Sequence, residues 1–272
     1  MMIFECIINV LLFGEICMNI YESWIVKSPI AHRGLHGENV PENSLAAFKL
    51  AAKNKYPIEL DVVALADGTP VVFHDEKLAR MTGRDGFISS LSLSDISDFR
   101  LQGTKEKIPT LAEVLKVVDG KVPLLIEIKN QGKVGPLEKA VWKELMKYNG
   151  EYAIQSFNPY TLEWFKINAP KIRRGQLASF FRNNSVTGFK RYALKRMLLN
   201  KTVSEPNFIV YDGADVPNKY LKKYYGVIPV LVYTIKTEGE ENRLKGFCDN
   251  FVFDDYIPLA YRKDKEQSKD EE

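Results

Sequence analysis

The chain predicts a closed parallel barrel of eight β/α units, an α/β fold, and three observations carry that prediction. Short apolar, β-branched runs recur at residues 30–32, 58–63, 123–128, 152–155, 173–178, 208–211, 229–233 and 251–254. Most are separated by amphipathic stretches of helical length, the pattern of strands joined by crossover helices. No Gly-x-Gly-x-x-Gly follows any of the runs, so the usual nucleotide fingerprint of the rival open, doubly wound sheet is missing. With 272 residues, 45% of them hydrophobic and 11% aromatic, the chain suffices for one such domain.

Residues 1–26 precede the first strand as an N-terminal extension. Its apolar stretch from Ile3 to Phe13 is interrupted by Glu5 and followed by Glu15, and no Lys or Arg precedes Lys27, so it lacks the charge pattern of a signal peptide. It also falls short of the ~20 apolar residues of a membrane-spanning helix. Met18 offers a second start, which leaves residues 1–17 as either a dispensable leader or a membrane-surface anchor. The barrel is expected over 27–260, and the tail 261–272 alternates charges with few apolar positions, as a solvated segment does.

Within the barrel, Asn43 or Ser44 caps a helix opening at Leu45, Thr110 and Glu113 form a capping box, and Pro136 opens a helix over 137–148. Residues 64–107 depart from the repeat. Asp67-Gly68-Thr69 is a turn followed by a strand from Pro70 to His74, then a polar stretch in which Ser92 or Ser94 caps another helix. This is an insertion after the second strand. Loops that follow the strands build the active face of such barrels, so the insertion walls the site and delivers His74 to it.

The formal charge of +3 is the difference of 38 basic and 35 acidic residues, which gives no ground for a nucleic-acid partner. Cys6, Cys17 and Cys248 are odd in number and lack a metal-type spacing, which argues against a disulfide framework and points to a reducing, cytoplasmic location.

Chemistry concentrates in the N-terminal half. Side chains alternate along a strand, so Glu59 and Asp61 share one face while Ile58, Leu60 and Val62 take the other. Two carboxylates about 4 Å apart repel by roughly 4 kcal/mol at an effective dielectric of 20. The pair needs a cation or a shared proton; Glu127 on a comparable strand supplies a third oxygen donor, and an all-oxygen set selects Mg²⁺ or Ca²⁺. A salt-bridge network at a strand end is the alternative for an isolated Glu-x-Asp. Lys129 shares a face with Glu127 and either pairs with it or binds an anionic group. His32 and His74 end strand-like runs where an acid or base would reach substrate, whereas His36 lies in a turn, either on the surface or behind the site residues as a support. Arg33, followed by Gly34, suits bidentate contact with a phosphate, or else an ion pair with Glu42 or Asp61.

These segments resemble the glycerophosphodiester phosphodiesterases, a family of β/α (TIM) barrels. The resemblance runs through Ala31-His32-Arg33-Gly34, Pro41-Glu42-Asn43-Ser44, Glu59-Leu60-Asp61-Val62, Asp67 to Asp75, Ile108-Pro109-Thr110-Leu111, Glu127-Ile128-Lys129 and Gln155-Ser156-Phe157. It covers roughly 29 to 258 and is strongest to 160. It implies that Glu59, Asp61 and Glu127 ligate a divalent metal, that His32 and His74 form the acid/base pair, and that Arg33, Asn43 and Lys129 line the substrate site. The family's insertion corresponds to about 75–107. Two departures, Val232-Tyr233-Thr234 and Phe253-Asp254-Asp255-Tyr256-Ile257-Pro258, fall on strands that usually shape the alcohol pocket.

The resemblance implies metal-dependent hydrolysis of glycerophosphodiesters to sn-glycerol 3-phosphate and an alcohol, on a small-molecule substrate. A phospholipase D-type reaction on lysophospholipids is the alternative within the fold. It is motivated by residues 189–199, where basic and apolar side chains interleave as for a peripheral membrane contact, against a plain outer barrel helix. A non-catalytic phosphodiester-binding protein is the third reading, weakened by the presence of all five acidic and histidine residues.

Overall fold

The computed structural model describes residues 20–130, 132–182 and 186–259. Residues 1–17 and 261–272, for which the sequence raised an anchor and a tail, lie outside them. Eight parallel strands close on themselves: β1 (Ile30–Ala31), β2 (Ile58–Ala64), β4 (Leu124–Ile128), β5 (Tyr152–Ser156), β6 (Arg174–Ala178), β7 (Phe208–Asp212), β8 (Val230–Ile235) and β9 (Asn250–Phe253). Pairing of β1 with both β9 and β2 completes the ring. The expected eight-stranded parallel barrel is the one observed. A further strand, β3 (Pro70–Val72), lies outside it, antiparallel to β2 across the Asp67-Gly68 turn.

The alternation of side chains sorts the strands into two cores. Ile30, Leu125, Ala153, Leu177, Phe208, Val210, Leu231 and Val252 pack inside the barrel. Ile58, Leu60, Val62, Leu124, Ile126 and Ile154 pack outward against the helices. Ile20 and Ile25 join the inner cluster, and the Asn250 amide donates to the carbonyls of Ile25 and Ser28, so residues 20–27 close the N-terminal floor of the barrel.

The helices start where side chains satisfy their free N–H groups. Ser44, of the two candidate caps, accepts from Ala47 N at the head of Leu45–Lys53, which buries Ala47, Phe48 and Ala51. Thr110 and Glu113 form the reciprocal box opening Leu111–Val118. Pro136 is the first residue of its helix, which ends at Leu145 rather than 148. Gly34 is required at its turn: its φ is +82°, and a Cβ there would lie 2.9 Å from Ala47.

The insertion has its own small core, including Leu65, Phe73, Leu78, Met81, Ile88 and Phe99. No helix starts at Ser92 or Ser94. Ser92 instead closes on Asp95 through its backbone N and its hydroxyl, a local turn that competes with helix. The strand expected to reach His74 ends at Val72. Among the described residues no helix is long and apolar enough to cross a membrane.

Gly175 pairs directly with Phe208, whose ring fills the space a side chain at 175 would occupy; a Cβ would come within 2.2 Å of Phe208 Cε2. Gly175→Ala should therefore lose about 1–3 kcal/mol of stability by overpacking. Urea unfolding checks this, and an unchanged midpoint would show that the ring has room to yield.

Candidate active site at the C-terminal mouth of the barrel

The inward positions turn polar toward the C-terminal ends of the strands. Asp61 and Glu127 are register partners on β2 and β4, with Glu59 one inward position below Asp61. One oxygen from each of Glu59, Asp61 and Glu127 lies within 4.8 Å of the others, and all three residues are buried. The structure thus brings together the three acids singled out in the sequence.

Their counter-charges are unequal. Lys129 Nζ lies 3.1 Å from Glu127 and 3.3 Å from Asp61, and Arg33 Nε lies 3.2 Å from Asp61. Burial pushes the Asp61 carboxyl up, yet Lys129, His74, Arg33 and His32 together hold it well below the carboxylate range. Among the described residues Glu59 accepts only neutral hydrogen bonds, from Arg33 N at 3.2 Å and Gln155 Nε2 at 3.3 Å. Burial, with Asp61 and Glu127 beside it, drives its pKa well up. Burial also raises Glu127, against the opposing pull of Lys129. Two side-chain cations facing three buried carboxylates leave negative charge in excess. A cluster of oxygen donors with that excess fits a hard divalent cation.

Arg33 holds a left-handed backbone, φ 55°, unusual for a long side chain. Contacts fix it from several sides: N–H to Glu59, Nε to Asp61, and Nη1 to Glu42 at 2.7 Å. Both ion pairs considered from the sequence are therefore present. Asn43, also left-handed at φ 54°, donates through Nδ2 to Asp61 Oδ2 at 2.8 Å. Glu42 continues outward to Arg80, which also pairs with Asp75.

The two imidazoles, both of which act on Asp61, are held by different carboxylates. His74 Nδ1 lies 2.6 Å from Asp75 Oδ1 on the insertion side, and His32 Nδ1 lies 3.1 Å from Asp254 Oδ2 at the end of β9. Burial lowers the pKa of both; Asp254 opposes it at His32, and Asp61 at His74. Of the two places considered for His36, the one behind the site residues agrees with the structure: it is half-buried, its Nε2 2.9 Å from Asp254 Oδ1. Asp254 is raised by burial but held far down by these two histidines.

Sequence reasoning missed Asp254, Gln155 and Arg80 as parts of this network. Alternation was the available signal for two of them, since Asp254 follows inward Val252 by two positions and Gln155 follows inward Ala153. Arg80 carries no such signal, because only the folded insertion brings it to Glu42. Farther round the rim, Phe157 meets Phe181 at 5.7 Å and Tyr233 at 6.2 Å between ring centroids, an apolar wall beside the acids.

Comparison with known proteins bears on this geometry. Residues 32–257 match the model of the glycerophosphoryl diester phosphodiesterase family. A glycerophosphodiester phosphodiesterase of Caldanaerobacter subterraneus is 40% identical over 159 residues, a match spanning 54% of this chain and 65% of that protein. One from Bacillus subtilis is 27% identical over 259 residues, spanning 87% of this chain and 86% of the relative. An Oleispira antarctica phosphodiesterase, solved with its product sn-glycerol-3-phosphate, superimposes with a TM-score of 0.71 at 24% identity, covering 84% of this chain and 93% of that one. At that identity the likeness is one of fold.

Asp75 carries a pH signature. Burial raises its carboxyl, but Arg80 and His74 bring it down to about 2. A carboxylate with a depressed folded pKa contributes stability above its unfolded pKa of about 3.9 and loses it as pH falls toward the folded value. The Tm difference between wild type and Asp75→Asn should be full above about pH 4 and shrink toward pH 2. A difference independent of pH across that window would refute the pairing.

Proposed function

We propose that this chain, which belongs to the glycerophosphoryl diester phosphodiesterase family, hydrolyses glycerophosphodiesters to sn-glycerol 3-phosphate and an alcohol. The observation that carries the reading is the buried trio Glu59, Asp61 and Glu127 with its uncompensated charge, flanked by two carboxylate-backed imidazoles. The relatives named as glycerophosphodiester phosphodiesterases support the substrate class.

Glu59, Asp61 and Glu127 are the residues that would hold a divalent cation, Mg²⁺ or Ca²⁺. When bound, such an ion supplies positive charge against the phosphoryl oxygens and the charge that gathers on them in the transition state. Arg33 and Lys129, already turned toward the same carboxylates, offer N–H donors to a phosphate entering beside them. Asn43 holds Asp61 in place through its amide and lines the same corner.

The histidines divide the proton transfers. An attacking hydroxyl oxygen loses its proton to His32 Nε2 as its bond to phosphorus forms; attack by water gives sn-glycerol 3-phosphate directly, whereas attack by a glycerol hydroxyl gives a cyclic phosphate that a water molecule must then open to the same product. The phosphorus–oxygen bond to the alcohol breaks, and the leaving oxygen takes a proton from His74. Asp254 on His32 and Asp75 on His74 face each ring's Nδ1, which leaves Nε2 free for these transfers and stabilises the imidazolium when it forms.

Two outcomes follow. His32→Ala and His74→Ala should each stay folded and lose roughly 10²–10⁴-fold in kcat on glycerophosphocholine; wild-type turnover in either would remove that histidine from the reaction. Chelation with EDTA should abolish release of glycerol phosphate, with Mg²⁺ or Ca²⁺ restoring it, and Glu127→Gln should raise the metal concentration needed. Full activity in EDTA-treated enzyme would sink the cation site.

A further inference from the structure

The helix Gly188–Lys195 stands apart from the other long helices of the barrel. Leu45–Lys53, Leu111–Val118, Pro136–Leu145 and Pro159–Asn168 each bury three or more side chains, whereas Gly188–Lys195 buries none. Phe189 is 79% exposed, the largest fraction among the exposed large apolar side chains, and Tyr192 and Leu198 are exposed as well. An unburied helix that shows an aromatic tip to solvent has a face without an intramolecular partner.

Charge is segregated around that face. Residues 186–204 and 216–229 hold Lys190, Arg191, Lys195, Arg196, Lys201, Lys219, Lys222 and Lys223 and no acidic residue. Since the whole chain is only +3, the remainder is net acidic and the basic excess is local. The two segments meet in space. Phe189 stacks on Tyr192 at 6.0 Å, Arg196 lies over Tyr192 at 4.4 Å and over Tyr220 at 5.3 Å, and Lys223 is lowered by burial and by Lys201 and Arg196 nearby. Like charges gathered this way repel unless an anionic partner lies opposite.

The patch adjoins the barrel mouth. Arg191 Nε donates to the Phe180 carbonyl at 2.8 Å, Phe180 packs on Tyr220 at 6.0 Å, and the next residue, Phe181, belongs to the aromatic wall with Phe157 and Tyr233.

We propose that the surface formed by Phe189, Tyr192, Leu198 and the surrounding lysines and arginines docks on an anionic lipid bilayer and turns the mouth of the site toward it. The combination of exposed apolar tips with a ring of cations is what an interfacial helix needs, apolar groups entering the acyl boundary while the basic side chains meet lipid phosphates. Single-stranded nucleic acid fits less well, because Phe189 and Tyr192 stack on each other and Arg196 caps Tyr192, which leaves the outer face of Phe189 in this pair and not the succession of platforms that consecutive bases stack on. Docking needs no turnover, so it stands or falls separately from the proposed reaction.

The test is co-sedimentation of the full chain with vesicles of phosphatidylcholine, with and without phosphatidylglycerol. Binding should require phosphatidylglycerol and fade at high salt. The exposed-site variants Lys201→Glu/Lys223→Glu and Phe189→Ser should each weaken it about tenfold, with unaltered Tm and unaltered turnover of soluble glycerophosphocholine. Failure to bind phosphatidylglycerol vesicles, equal binding to phosphatidylcholine alone, indifference to both variants, or displacement from vesicles by an RNA oligomer would each overturn the proposal.

Discussion

Three carboxylates on neighbouring strands face the inside of a barrel that has little water to spare for them, and the architecture around the mouth answers that constraint. Glu59, Asp61 and Glu127 are placed by alternation and register alone, since β2 and β4 pair Asp61 with Glu127. In a region of low polarity such a trio is expensive to ionise. Lys129 and Arg33 neutralise part of it, and Asn43 and Gln155 satisfy part of the remaining acceptor capacity. Glu59, which makes no ion pair among the described residues and feels only the more distant pull of Arg33, carries the residue of the problem. The same deficit that destabilises the bare cluster is what gives it affinity for a hard cation.

Those neutralising contacts also tie the mouth together. A chain of charged pairs runs from Asp61 through Arg33, Glu42, Arg80 and Asp75 to His74. It links the loop after β1, whose Leu35 packs against the outer core, to the insertion after β2, which packs on a core of its own. Exposed ion pairs are individually weak, and Arg80 is half exposed. A network in which Arg80 grips both Glu42 and Asp75 bidentately has its value in geometry: it fixes Asp75, and through it His74, at the edge of the acid cluster. At His32 the corresponding support comes from Asp254, shared with His36.

Legibility followed the range of the interaction that decides each feature. Strand positions, the Thr110–Glu113 box and the facing of Glu59 and Asp61 depend on residues two to four apart, and these appear as expected. The helix expected at Ser92 or Ser94 is absent because the Asp95 carboxylate closes a local turn on Ser92, a competitor that the capping pattern does not distinguish from a start. For Arg33 the sequence offered a phosphate or an ion pair with Glu42 or Asp61; both pairs form, because the guanidinium, on a left-handed backbone, lies between Glu42 of its own loop and Asp61 on β2.

By itself the sequence determined the eight-fold recurrence of buried strands, the side of each strand on which the acids lie and the residue types available for acid/base chemistry, because periodicity and chemical identity are local properties of a chain. Only the tertiary structure decided which groups meet: Asp254 reaching His32 across 222 positions and Gln155 reaching Glu59 across 96 through the barrel, and Arg80 reaching Glu42 across 38 through the folded insertion. Closure and register set the first two distances. Neither is written in any short stretch of residues, since each depends on strands that find one another only when the ring is complete.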